Sequence, residues 1–324
     1  MSKARDEESS IRTSWTHPLK HKGIVPAKTS EVTPFVFRNR LYRLENFKKS
    51  SECPGRPATY RFHEDGFRIR DVMADRVLSI PLLNHYFGIA HVWQNRVYVV
   101  AGHYEEDRPW WTIRRTHLIW SDDLITWSKP RVVLEAEGDE HLFNYAICRA
   151  HGRFYMLYET DDARWPKFTF RFATSTDLLH WEKLAPNHIY GATKYVGGPA
   201  LYHDSEQDWF YCLYVDDRGG TWDTRISRTK DFVHWGDAPE DRPFLAVDER
   251  RYVNPFDYPE VREKSASDAE VCEFRGQTLV YWNGGDQQTC GNLQLSVSDT
   301  SASALFAAFF ADDDKGGRFS QRSS

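Results

Sequence analysis

Three tryptophans, Trp127, Trp181 and Trp235, stand 54 residues apart each time in this 324-residue chain. Each closes a copy of one pattern, hydroxyl–x–Asp–apolar–x–x–Trp: "WSDDLITW" ends at Trp127, "TSTDLLHW" at Trp181 and "RTKDFVHW" at Trp235. A pattern repeated at a fixed period of this size marks a supersecondary unit that recurs along the chain. The fold must therefore be assembled from copies.

The sequence before each tryptophan shows what the copies contain. "FGIAHVWQNRVYVVAGH", "FNYAICRAHGRFYMLYETD" and "GGPALYHDSEQDWFYCLYVDD" each read as an apolar strand, a short polar turn and a second strand. A variable loop follows, then a third strand ("RTHLIW", "FTFRFA", "TRIS"), the repeated turn, and a fourth strand such as "KPRVVLE". Two further hairpins lack the tryptophan marker: "EVTPFVFRNRLYRLEN" from Glu31 and "DAEVCEFRGQTLVYWNGGDQ" from Asp268. Five such units predict an all-β chain folded as a five-bladed β-propeller of four-stranded antiparallel blades. From Pro26 to Phe310 this allots about 57 residues to each blade, close to the tryptophan period. Residues 1–25 read as a flexible leader, 26–310 as the propeller domain, and 311–324 as a flexible tail.

Chain direction alternates within a blade. The start of the first strand and the end of the second share one face, and the repeated turn lies on the opposite face. Asp123, Asp177 and Asp231 are therefore expected to cap their own turns by side-chain hydrogen bonds, with the tryptophans wedged between blades. Chemistry belongs on the other face. Aligned by their turns, the first strands open at Glu31, Phe87, Asn144, a position near Val196, and Asp268. Two of these are carboxylates, and ring closure makes their blades neighbours. Carboxylates at the mouth of an apolar funnel are costly unless paired or used, so Glu31 and Asp268 are candidate catalytic groups.

The ends of the second strands reach the same face. They supply Glu45, His103, Glu159, Asp161, Asp216, Asp217, Asp286, Gln287 and Gln288, and nearby loops add His85 and Glu140. Acids, amides and imidazoles together suit the recognition of sugar hydroxyls. Glycosidic cleavage needs two carboxyl groups in opposite protonation states. Glu159, carried directly off the apolar strand "MLYE", is the third catalytic candidate. His85, Phe87, His103, Asn144, Asp161, Asp286 and Gln287 are candidate substrate-binding residues. No nucleophile elbow, phosphate-binding glycine loop or H-E-x-x-H zinc motif occurs in the sequence.

With these residues in place, the chain resembles the five-bladed β-propeller glycoside hydrolases. These are the arabinanase and β-xylosidase group (family 43), the invertase-like group (family 32) and the neoagarooligosaccharide hydrolases (family 117). The resemblance rests on the S-x-D-L-x-x-W turns at Ser121–Trp127 and Ser175–Trp181, the variant at Thr229–Trp235, and the acid-led strand "EVTPFVF". It implies a carboxylate base or nucleophile at Glu31, where the usual residue is Asp. It also implies a pKa-modulating acid in the second blade and a general-acid Glu at the start of the third. This chain has Phe87 and Asn144 there, so the acid must come from elsewhere, with Asp268, Glu159 or His103 as candidates.

Composition narrows the remaining classes. A formal net charge of -5, from 42 basic and 47 acidic residues, argues against a nucleic-acid partner. No run of 18 apolar residues occurs, so no membrane span is expected. The five cysteines include no C-x-x-C pair, which argues against a disulfide framework or zinc site and for a reducing, cytoplasmic setting. The expectation is an exo-acting glycoside hydrolase on short oligosaccharides, with no cofactor and no metal-binding residues assigned, and with its oligomeric state and a structural metal on the propeller axis left open. A non-catalytic carbohydrate-binding propeller is the alternative; it would keep the aromatics and amides without an acid pair.

Overall fold

The computed structural model describes residues 15–27, 29, 31–47, 66–104, 110–166, 168–254, 258–286 and 291–311. The chain opens with β1 (Lys20–Ile24). A first group follows: β2 (Val32–Phe37), β3 (Arg40–Phe47), β4 (Gly66–Asp71) and β5 (Arg76–Leu83). The second is β6 (His85–Trp93), β7 (Arg96–His103), β8 (Arg115–Ser121) and β9 (Arg131–Glu135). The third is β10 (Leu142–Ala150), β11 (Arg153–Thr160), β12 (Thr169–Ser175) and the short β13 (Glu182–Lys183) and β14 (Ile189–Tyr190). The fourth is β15 (Gly197–Asp204), β16 (Trp209–Asp217), β17 (Trp222–Thr229) and β18 (Trp235–Asp237). A small hairpin, β19 (Tyr252–Asn254) and β20 (Tyr258–Arg262), precedes β21 (Ser265–Phe274), β22 (Gln277–Gly285) and β23 (Gly291–Ser298). Helix α1 (Ala302–Ala307) comes last.

Each group is an antiparallel meander, and the fourth and fifth merge into one eight-stranded sheet through a single parallel pairing of Trp222 with Ser265. The first strands pack in a cycle: β2 on β6, β6 on β10, β10 on β15, β15 on β21, and β21 back on β2. Second strands lie inside their sheets and read as continuous apolar runs. In β16, "WFYCLYVDD", six consecutive residues are buried. Four of the five hairpin turns have both central residues left-handed: Arg38–Asn39, Gln94–Asn95, His151–Gly152 and Arg275–Gly276. That is the type I′ geometry matching the right-handed twist of the strands it joins.

The repeated motif behaves as the sequence predicts. Asp177 Oδ1 accepts from the amides of Leu179 and His180, and Ser175 Oγ accepts from those of Asp177 and Leu178. Asp123 and Asp231 do the same in their turns. Leu124, Leu178 and Phe232 take left-handed conformations inside these turns, and the side-chain bonds hold them there. Trp127 donates to Ser79 Oγ of the preceding group, and the Trp235 ring lies 4.5 Å from Tyr190 of the third.

Two expectations need correction. Residues 20–24 are not leader: β1 pairs antiparallel with β23, from Lys20 with Val297 to Ile24 with Gln294, as the outer strand of the last group. The stretch "KHKGI" escaped notice because an exposed edge strand needs no apolar alternation. The stretch before residue 310 is also not all strand. Leu305 and Phe306 of α1, followed by Phe309 and Phe310, pack into the core formed by the fourth and fifth groups.

Replacing Asp177 by Ala removes the acceptor of two amide N–H groups on the face away from the first-strand starts. Denaturant unfolding is expected to show a loss of about 0.5–2 kcal/mol, as for loss of a helix or turn cap. The near-UV spectrum of the folded state should not change.

Candidate functional site

The starts of all five first strands line one pocket. Its wall comprises Glu31, Val32 and Thr33, then Phe87 and Gly88, Asn144 and Tyr145, Gly198 and Pro199, and Asp268 with Glu270. Four of these strands break register here. Pairing skips between Tyr86 and Ile89, Leu142 and Tyr145, Gly197 and Ala200, and Ser267 and Glu270. Two residues then face one on the partner strand, a β-bulge that re-aims a side chain. The bulges put Phe87, Gly198 and Asp268 at φ of 55°, 51° and 51°. The fourth-strand position expected near Val196 is thus Gly198, while Val196 is buried in the core.

Gly198 has to be glycine for two reasons. Its φ is left-handed, and a β-carbon there would run into the Asp268 carboxylate. Its amide donates to Glu159 Oε2 at 3.0 Å, and Asn144 Nδ2 donates to the same oxygen at 3.1 Å. Glu159 lies opposite the bulge of β10 and is only 3% exposed. Burial, reinforced by the charges of Asp268 and Glu31, pushes its carboxyl up to about 8 against the pull of those two donors. The protonated form is therefore favoured, and both donors fall on Oε2.

Glu31 accepts from Tyr86 Oη and Asn46 Nδ2, each at 3.4 Å, and its carbonyl accepts from the Asn46 amide. Asp268 accepts from the Ser267 hydroxyl, which itself accepts from Ser265. Glu270 lies two residues further along β21. Burial drives it to about 8, aided by the charge of Asp268, while the Tyr202 hydroxyl donates to it at 2.8 Å. It also lines a cavity of about 440 Å³ between the first strands. Beside the pocket, aromatic rings run from Trp111 through Phe87, Phe143 and Phe168 to Tyr195. Trp111 is half exposed.

The structure thus brings Glu31, Asp268, Glu159, Phe87 and Asn144 together, although Glu159 sits beneath the lining residues. It does not bring in the other candidates. His85 and His103 stack with His117 in a separate cluster, His85 Nε2 lying 2.9 Å from His117 Nδ1. Burial holds His85 down at about 3 and His117 at about 4, so both stay neutral. Asp161 accepts from the His141 amide, with its other oxygen 3.0 Å from His141 Nδ1. Glu45 is fully buried against Arg43, Arg68 and Arg70, and Glu140 is paired with Lys183. Asp286 follows β22, outside the pocket wall, and Gln287 and Gln288 lie outside the described residues. Sequence reading passed over Tyr86 and Ser267, while the glycine pair of the "GGP" that opens β15 signals a close approach at Gly198. Among the described residues, the one His/Asp group with metal-ligand spacing, His151, His203 and Asp208, lies on the opposite face.

Comparison with known proteins places this geometry in a fold. No protein-family model matches the chain, and no curated protein matches it. Solved structures do match. One described as "Glycoside hydrolase" is 13% identical over 87% of this chain and 93% of its own, with a TM-score of 0.63. A thermostable family-43 glycoside hydrolase is 11% identical over 85% and 91%, with a TM-score of 0.58. The family-32 β-fructofuranosidase of Bombyx mori is 10% identical over 85% of this chain and 61% of its own, with a TM-score of 0.53. The resemblance to families 43 and 32 is borne out at the level of fold.

The Glu159 environment yields a pH test. The unfolded carboxyl titrates near 4.5 and the folded one at about 8, so the folded state holds the extra proton between them. Its stabilising contribution is present below pH 4.5 and is lost as pH rises through about 8. Glu159→Gln removes that dependence. From pH 5 to 8.5 the wild-type melting temperature should fall relative to the variant by at least about 3 °C, the shift roughly 2 kcal/mol produces in a domain of this size.

Proposed function

We propose that the five strand groups are five blades of one propeller, and that the protein is an exo-acting glycoside hydrolase on short oligosaccharides. Support for five blades comes from the cyclic packing of the first strands and from β1 completing the last group. The observation that carries the functional reading is the meeting of Glu31 and Asp268 in a pocket lined by all five first strands.

In this reading Glu31 is the base. It accepts from Tyr86 and Asn46 at the pocket wall. It takes a proton from the attacking water as the water oxygen bonds to the anomeric carbon. Asp268 gives its proton to the leaving oxygen as the glycosidic bond breaks. In this reading one carboxyl of the pair enters the reaction protonated, as acid–base cleavage requires. Glu159, neutral beneath them, withholds a third negative charge and fixes Asn144 and the Gly198 amide. Phe87 and Asn144 would contact the sugar. A cytoplasmic location belongs to the same proposal, in keeping with the free thiols of Cys148, Cys212 and Cys272. Among the described residues no helix is long and apolar enough to cross a membrane.

The test is a panel of oligosaccharides and aryl glycosides given to the wild type, Glu31→Gln and Asp268→Asn, with melting temperatures as the folding control. Glu31→Gln is expected to lower kcat by at least about 100-fold. Asp268→Asn should match that loss on poor leaving groups and be milder on activated aryl glycosides, which need less protonation. Near-normal turnover in both variants would remove the pair from catalysis. Sugar binding without turnover by the wild type would favour the non-catalytic propeller.

A further inference from the structure

On the face opposite the pocket, two turns from different groups bring three side chains together. His151 occupies the tight turn between β10 and β11, and His203 and Asp208 flank the turn between β15 and β16. His151 Nε2 lies 2.6 Å from Asp208 Oδ1, and His203 Nε2 lies 3.0 Å from the same oxygen. All three ligand atoms fall within 4.8 Å of one another. The backbone fixes the arrangement, since His151 and Asp208 both sit in left-handed conformations, at φ 50° and 56°. Ring packing fixes it further. His203 lies 4.7 Å from Phe210, with only 7% of its side chain exposed, and meets His151 edge-on at 5.2 Å.

We propose that His151, His203 and Asp208 bind a divalent transition-metal ion of the zinc class, bridging the third and fourth groups. Two imidazoles and one carboxylate form a donor set that suits Zn²⁺ and its borderline neighbours. Ca²⁺ and Mg²⁺ favour all-oxygen shells. A tetrahedral zinc site spaces its ligand atoms by about 3.3 Å, given metal–ligand bonds of about 2.0–2.1 Å. Small rotations of His151 and Asp208, both half exposed, open the present spacing to that value. The solvent side leaves the fourth position to water. The ion would replace two hydrogen bonds that converge on one oxygen, and it would tie together turns otherwise joined by ring contacts. This site is independent of the glycosidase reading.

The test uses the full chain without an affinity tag, stripped by a chelator and titrated with Zn²⁺ by calorimetry. The wild type, His151→Ala and Asp208→Asn are compared. Both substituted residues are half exposed, and near-UV circular dichroism confirms that the variants fold. One equivalent of Zn²⁺ should bind the wild type and raise its melting temperature, whereas Ca²⁺ should leave it unchanged. Each variant should lose at least about tenfold in affinity, because removing a direct ligand costs no less than removing an outer-sphere support. No binding to the wild type, or wild-type affinity in either variant, would overturn the proposal.

Discussion

The site depends on a break in strand regularity. A regular strand sends alternate side chains to opposite faces and cannot aim two neighbours at one point. Four of the five first strands lose register at the same level, with two residues set against one. The cost is visible in Phe87 and Asp268, non-glycine residues in left-handed backbone, where about 1–2 kcal/mol each is the usual penalty. Such strain persists where surrounding structure over-determines it, and it concentrates at functional sites. For Phe87 and Asp268 it is held by hairpins whose type I′ turns, Gln94–Asn95 and Arg275–Gly276, fix the register from the opposite end of the strand.

Electrostatics follow from that convergence. Once Glu31, Asp268 and Glu159 are gathered among aromatic walls, they cannot all ionise cheaply. The most deeply buried of them keeps its proton: Glu159 titrates at about 8, with Asn144 and the Gly198 amide on one oxygen. Glu31, Asp268 and Glu270 reach the pocket wall, and burial drives Glu270 up to about 8 as well. The same packing that raises Glu159 requires a glycine at 198, because any side chain there would displace Asp268.

How much of this was legible in the sequence depended on whether the signal was local. The hydroxyl–x–Asp turns are closed within a few residues, so their capping role could be read from spacing alone. Glu31 and Asp268 were legible because hairpin turns align the strands that carry them. Gly198 was displaced by two residues because the β15–β16 turn, 205–208, is longer than the two-residue turns that align the other first strands. β1 was missed because its pairing is with residues some 270 positions away and its exposed side chains carry no pattern. His85 and His103 were drawn to the site by position. The structure shows them stacked on His117 instead, a preference set by packing between strands that no single segment records.

The central claim is that Glu31 and Asp268 flank a scissile glycosidic bond. The most direct measurement is a crystal structure of the Glu31→Gln protein soaked with an oligosaccharide that the wild type cleaves. The account predicts a terminal sugar seated over Phe87 and Asn144, with its glycosidic oxygen within hydrogen-bond reach of Asp268. It also predicts that the residue-31 amide stands on the other side of the anomeric carbon. A sugar bound outside the pocket, with Asp268 and residue 31 both turned away from the bond that is cut, would contradict it.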